Sequence, residues 1–533
     1  MVGSRNATGR LGAARRQGNP RGKASVRRAG PAGRGARAGV ALARRGPGEH
    51  RVASGRGRPG RGWKAQGLWV CLAALGIVLG GAEPALAAPA VDPRELSLLW
   101  GLPFVGLLLS IALMPLLAGH LWHHHYGKIA AGWALLLVIP FAIAFGPEAA
   151  SREIWHVVLQ EYIPFTALLL ALYTAGGGVL LRGTLVGTPA TNTALLAVGT
   201  LIASLMGTTG ASMVLIRPML RANAHRKRKV HSFVFFIFLV SNIGGSLTPL
   251  GDPPLYLGFL KGVSFFWTTT HLFWEFLLCA VVLLVVYYLL DSWIYAKEKP
   301  VPPETAVVEP LRIQGWQNVA LIGVVVGFVL LQGIWQPGEV KIFGDAIGIE
   351  RLVAIAAFLA VTFASIRLTS AELREANGFA WGAMAEVAKL FAAIFVCMAP
   401  VLAILKAGTA GAAGPLVALT SDAAGMPIPW VYFWLTGGLS SFLDNAPTYL
   451  VFFNLAGGHA PTLMTDGALT LAAISCGAVF MGANSYIGNA PNFMVKAIVE
   501  EQGVRMPSFF GYCAWAVVFL VPLFVLVTLI FFV

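Results

Sequence analysis

Charge is scarce in this chain. Of 533 residues only 12% are charged and 57% are hydrophobic, against roughly 25% and 45–50% in an average soluble domain. With a mean hydropathy of +0.72, a soluble enzyme is excluded. Cysteine is sparse as well: Cys71, Cys279, Cys397, Cys476 and Cys513 lie in apolar runs without short spacings. That pattern builds neither a disulfide framework nor a local zinc site, and reads as packing. No P-loop or other nucleotide signature appears, which argues against ATP-driven transport, and no cofactor is expected. Acidic residues are nearly missing from the start, where residues 1–64 hold 17 of the 39 Lys and Arg and a single acid, Glu49. The other 469 residues carry 22 basic and 23 acidic side chains. The basic excess therefore belongs to a tail, and no nucleic-acid partner is expected for the body.

That tail, residues 1–62, reads as a disordered Arg/Gly-rich segment or a start placed too early. Residues 63–88 read as a signal peptide, with Trp63-Lys64, an apolar run from Leu68 to Leu79 and a small-residue cleavage site at Ala87 or Ala88. The one histidine cluster, His120, His123, His124 and His125, stands beside Trp122 and Tyr126. No Cys or carboxylate completes a shell there, so it reads as a membrane edge rather than a metal site.

A spanning helix needs about 20 mostly apolar residues. Ten stretches qualify, near 98–118, 129–147, 155–175, 231–257, 271–294, 316–336, 349–367, 387–407, 468–498 and 508–533. Segments 193–220 and 430–457 are interrupted midway by polar residues, with limbs of 10 to 15 residues, and read as re-entrant hairpins. The basic loop Arg221, Arg226, Lys227, Arg228 and Lys229 is then cytoplasmic, as the positive-inside rule requires. The expectation is an all-α polytopic membrane protein of two inverted repeats, residues 95–294 and 316–533. Each has five spanning helices, one re-entrant hairpin and one broken helix, and a cytoplasmic linker at 295–315 joins them.

Four polar elements converge on the membrane centre in this reading. They are the hairpin tips, with Thr208, Thr209 and Ser212 and with Asp444, Asn445 and Thr448, and the breaks in the fourth and ninth spans. The breaks hold Asn242, Ser246, Thr248 and Asp252, and Asn484, Ser485, Asn489 and Asn492. Glycine and proline unwind the helices there, and polar backbone at such depth is tolerated only lining a cavity or buried in protein. Hydroxyls, amides, freed carbonyls and a carboxylate suit a small hard cation, while amides and half-helix N-termini suit an anion. Asp252 and Asp444 carry the most weight, because an intramembrane carboxylate is functional by default and a proton or Na+ can each neutralise it. The competing reading makes each Asp a helix cap, with the prolines after Asp252 fitting that role best. Glu386 and Lys389 read as an interfacial pair, Arg217 as snorkelling, Glu275 and Asp291 as interfacial, and His231 as an accessory.

Asn242-Ile243-Gly244-Gly245 followed by Thr248-Pro249-Leu250-Gly251-Asp252-Pro253-Pro254, with Leu443-Asp444-Asn445-Ala446-Pro447-Thr448, resembles the ion transporter superfamily over residues 95–533. Within it the motifs look like the NhaD-type sodium/proton antiporter and arsenite-pump-like branches, and the chain is also similar to the citrate-transporter-like (CitMHS-like) group. The resemblance implies a homodimer with a scaffold and a mobile transport part. Carboxylate transporters of the superfamily typically place Ser-Asn-Thr at both tips, whereas here the tips are Thr208-Thr209-Gly210 and Asp444-Asn445-Ala446. On that departure the expected function is sodium/proton exchange (Na+, with Li+ as a further substrate) in a bacterial inner membrane, with Asp252 and Asp444 coupling the protons. The alternative is proton- or sodium-coupled citrate or carboxylate transport, and a channel or structural membrane protein is the remote one.

Overall fold

The computed structural model describes residues 91–300 and 309–533. The tail and signal peptide expected at 1–62 and 63–88 lie outside these residues. Among the described residues, nine helices are long and apolar enough to cross a membrane: Leu98–Leu117, Gly119–Phe145, Pro147–Gly176, Pro189–Met206, Phe273–Glu298, Trp316–Ile334, Ile349–Leu368, Trp381–Lys406 and Phe509–Phe532. Eight coincide with expected spans, and the protein is a multi-pass membrane protein.

The other two expected spans are interrupted. In the first, Val230–Leu239 gives way to a 3-10 turn at Ile243–Gly245, and the helix resumes only at Pro253–Leu260. In the second, Ala468–Met481 runs into a 3-10 turn at Gly482–Asn484 and restarts at Ala490–Glu501. Glycine makes both breaks possible: a Cβ on Gly251 would lie 2.1 Å from the Gly245 carbonyl oxygen, and one on Gly488 2.6 Å from that of Gly482. Proline then restarts each helix within its first two residues, where its missing N–H is no loss.

Both segments expected as hairpins fold back on themselves. Pro189–Met206 turns at Gly207, whose φ of +82° favours glycine, into Thr208–Ala222. Pro429–Ser440 turns through 441–444 into Asn445–Leu455. One limb departs from expectation: Pro189–Met206 has 18 residues rather than 10 to 15, because its apolar face extends back to a Thr188 cap whose hydroxyl accepts the Thr191 N–H.

Among the described residues the body is helical, with four short strands that the sequence reading lacked. Leu180–Arg182 pairs antiparallel with Arg312–Gln314, in the segment expected as a cytoplasmic linker. Glu339–Ile342 pairs with Asp345–Gly348 through Phe343 and Gly344, both at positive φ. Trp155 Nε1 and Gln160 Nε2 donate to the Ile342 and Ala346 carbonyls, fixing this hairpin against the first half of the Pro147–Gly176 helix.

Candidate functional site

Each helix that starts at an interruption brings its N-terminus to one place. Asp252 is the N-cap residue of Pro253–Leu260, and its buried carboxylate accepts from the first or capping residue of three other helices. Thr208 Oγ1, at the head of Thr208–Ala222, donates to Oδ1 at 2.9 Å, and Asn489 Nδ2, capping Ala490–Glu501, donates to the same oxygen at 3.1 Å. Asn445 Nδ2, at the head of Asn445–Leu455, donates to Oδ2. Four positive helix ends thus surround one carboxylate.

A second tier of amides holds this arrangement. Asn489 Nδ2 also reaches the Ser241 carbonyl and Asn242 Oδ1, at 3.1 and 3.2 Å. Asn242 Nδ2 donates to Asn492 Oδ1 at 2.7 Å, and Asn492 Nδ2 spans the Gly482 and Ser485 carbonyls that the break leaves free. Unwound backbone in an apolar interior needs such partners, since each unmet group costs several kcal/mol there.

The two halves build their frames alike at an offset of 237 residues, the separation of Asp252 from Asn489. Thr248 Oγ1 donates to the Ser204 carbonyl and Ser485 Oγ to the Ser441 carbonyl, each 44 residues away. Ser204 Oγ donates to the Gly244 carbonyl and Ser441 Oγ to that of Met481, each 40 away. The N–H groups of Leu250 and Ile487 close on the hydroxyls of Thr248 and Ser485, both at 3.2 Å. Ser204 and Ser441 were missed in the sequence reading. Aligning Gly251-Asp252-Pro253-Pro254 with Gly488-Asn489-Ala490-Pro491 brings them into register.

Several expected site residues also hold the frame. Asp444 Oδ1 accepts the Ala446 N–H at 3.0 Å and caps the second hairpin's return limb. Asp252, where capping looked stronger, makes no side-chain cap because both oxygens face other elements. Thr448 and Ser246 bond back to the carbonyls of Asp444 and Ile243, Ser212 pairs with Ser241 at 2.9 Å, and Asn484 donates to Ser441 Oγ. Thr209 lines a cavity of about 130 Å³ with Thr208, Asp252, Tyr173, Tyr256 and Met384. A small apolar cluster of Tyr173, Met213, Phe379 and Met384 adjoins that cavity.

The largest departure lies at the foot of the first hairpin. Asp291, expected at an interface, is fully buried and accepts a bidentate pair from Arg226 at 2.5 and 3.0 Å. His231 Nε2 lies 2.7 Å from it, and Asn192 and Tyr287 donate at 3.2 Å. Arg226 is thus a buried counter-charge rather than a loop cation, and paired geometry of this quality is what permits burial of both charges. Beside it, burial and then the Arg226 charge hold the His225 imidazole below its ordinary pKa. Other corrections are smaller. Arg217 Nη1 donates to the Asn377 carbonyl at 2.5 Å rather than snorkelling free. Glu275 is buried. Lys389 lies over the Tyr126 ring instead of pairing with Glu386. Trp122, expected at an interface, is buried too.

The site therefore offers one carboxylate ringed by donors and helix N-termini, in a multi-pass protein whose polar centre is reached by broken helices. That is equipment for transport across a membrane. No curated relative matches the sequence. A family model described as "Putative citrate transport" matches residues 93–532, nearly all of the described chain, and the protein belongs to that family of membrane transporters.

Proposed function

We propose that the protein is a secondary transporter of citrate-class carboxylates, coupled to H+ or Na+ through Asp252. The observation that carries this reading is the meeting of four helix N-termini and two Asn amides at one buried carboxylate. Such ends attract anions. Family membership supports the same direction.

The reading replaces the sodium/proton exchange that the tip sequences favoured. That expectation took Asp444 as a second coupling carboxylate; one of its two oxygens is engaged in capping a helix. It also took the tips as lacking an anion receiver; Thr208 and Asn445 both stand at helix starts, where their side chains donate to Asp252. Coupling follows from electrostatics. An ionised substrate carboxylate about 4 Å from an ionised Asp252 would cost about 4 kcal/mol at an effective dielectric of about 20. A proton or Na+ arriving with the substrate removes that cost, so anion and cation enter together. The halves act as inverted repeats in this scheme, with the loop after the first hairpin cytoplasmic.

Purified protein in liposomes tests the reading. Labelled citrate uptake is expected to saturate and to accelerate under an imposed inward H+ or Na+ gradient. Release of an internal acid load by Na+ alone, with no citrate response, would instead restore the exchange reading.

A further inference from the structure

The cavity beside Asp252 has a wall hydroxyl that the fold leaves unused. Among its wall residues, Thr208 donates to Asp252 and Tyr173 Oη to the Ala380 carbonyl at 2.7 Å. Tyr256 is as buried as any residue in the site, yet its Oη has no hydrogen-bond partner among the described residues. Its ring is fully employed, packed near Phe165 and Phe259 with centroids 6.5 and 6.1 Å apart. A phenylalanine would fill that space without burying an unmet donor, which costs free energy in any apolar interior. At the equivalent step of the other half, 237 residues on, the chain carries Phe493. The hydroxyl is thus absent from the half that lacks the carboxylate.

Tyr256 stands early in the helix whose N-cap residue is Asp252, and both residues line the cavity. A helical side chain leans back toward the helix start. Across the cavity Thr209, in the first turn of the facing helix, is half-buried and its hydroxyl makes no hydrogen bond among the described residues. We propose that Tyr256 Oη and Thr209 Oγ1 are the neutral donors that receive one carboxylate group of the transported substrate in this cavity. The inference rests on the carboxylate reading above and gives that reading a contact selective for the anion. O–H donors hold a carboxylate oxygen and offer no charge to trap it, which suits a ligand that must leave again.

Tyr256→Phe removes one oxygen and keeps the ring. Full-length protein in detergent would be heated with and without citrate, and the same variant assayed in liposomes. The citrate-free Tm is expected to stay the same or rise. The citrate concentration giving half-maximal stabilisation, and the KM for uptake, should increase about 10-fold or more, as for a lost hydrogen bond to a charged group. Half-saturation by the coupling cation at saturating citrate should not move. Thr209→Val should shift citrate affinity the same way by a smaller factor. A lower citrate-free Tm or loss of folded protein in Tyr256→Phe, with citrate affinity of Thr209→Val unchanged, would make the hydroxyl structural and overturn the inference. Unchanged citrate affinity in both variants overturns it alone, whereas wild-type protein that does not respond to citrate overturns the functional reading and this contact with it.

Discussion

At one step of the chain the first half of the site carries Asp252, and at the same step of the second half stands Asn489, which donates to that aspartate. The hairpin tips are reversed: Gly207-Thr208 in the first half answers to Asp444-Asn445 in the second. The serine and threonine hydrogen bonds that hold the backbone are nonetheless the same in both. A shared frame can therefore carry different chemistry on its two sides, provided that the frame is built by groups other than those facing the ligand. The feet differ more. The first hairpin stands on the buried Arg226, Asp291 and His231 cluster, while the residue 237 positions after Asp291, Thr528, accepts one hydrogen bond from Trp434 Nε1 at 3.0 Å.

The sharpest way to break this comparison is to make its two centres alike. Asp252→Asn, which places an amide in both halves, is expected to lower gradient-driven citrate uptake by about 100-fold or more at unchanged membrane abundance, because an intramembrane carboxylate that couples transport has no neutral substitute. Uptake within about twofold of wild type would reduce Asp252 to a frame residue.

Next in size is the foot. Asp291→Asn leaves the Arg226 guanidinium buried without its counter-charge and should cost about 3–5 kcal/mol, read as loss of folded protein after heating. Arg226→Met combined with Asp291→Leu should recover much of that loss, since a well-packed apolar pair can replace a buried ion pair. Thr528→Val, at the corresponding place, should cost only about 1 kcal/mol. Equal losses at the two feet would erase the distinction.

A smaller effect is expected at the second tip. Asparagine caps helices as well as aspartate does, so Asp444→Asn should keep uptake within about threefold of wild type, and Asp444→Ala should lower stability by about 1 kcal/mol. A collapse of transport in Asp444→Asn would return this residue to the coupling site.

The last test leaves activity alone and sharpens the relation between the halves. Single cysteines at the exposed positions Ala224 and His459, in the loops after the two hairpins, should react with an impermeant thiol reagent from opposite sides of the membrane. Labelling of both from one side would remove the inversion.

Much of this was legible in the chain before folding was considered. Lengths of apolar runs located eight helices, because spanning a bilayer fixes the length of a helix. Glycine and proline marked both breaks and Gly207 the first turn, because they alone relieve or forbid the backbone geometry needed there. The polar residues of the two breaks and the two tips were picked out for the same reason, and all but Thr209 proved to be hydrogen-bonded at or around the centre.

Tertiary structure alone decided what each of them bonds to. Asp252 and Asp444 look equivalent as intramembrane carboxylates in sequence. Only the approach of Thr208, Asn445 and Asn489 from distant segments separates the ringed carboxylate from the cap. Asp291 likewise reads as an interfacial acid until Arg226, 65 residues earlier, is brought against it. Periodicity and composition report what a segment prefers by itself. The partner that neutralises a buried charge comes from elsewhere in the chain, so a role that depends on that partner is fixed only when the fold places the two together.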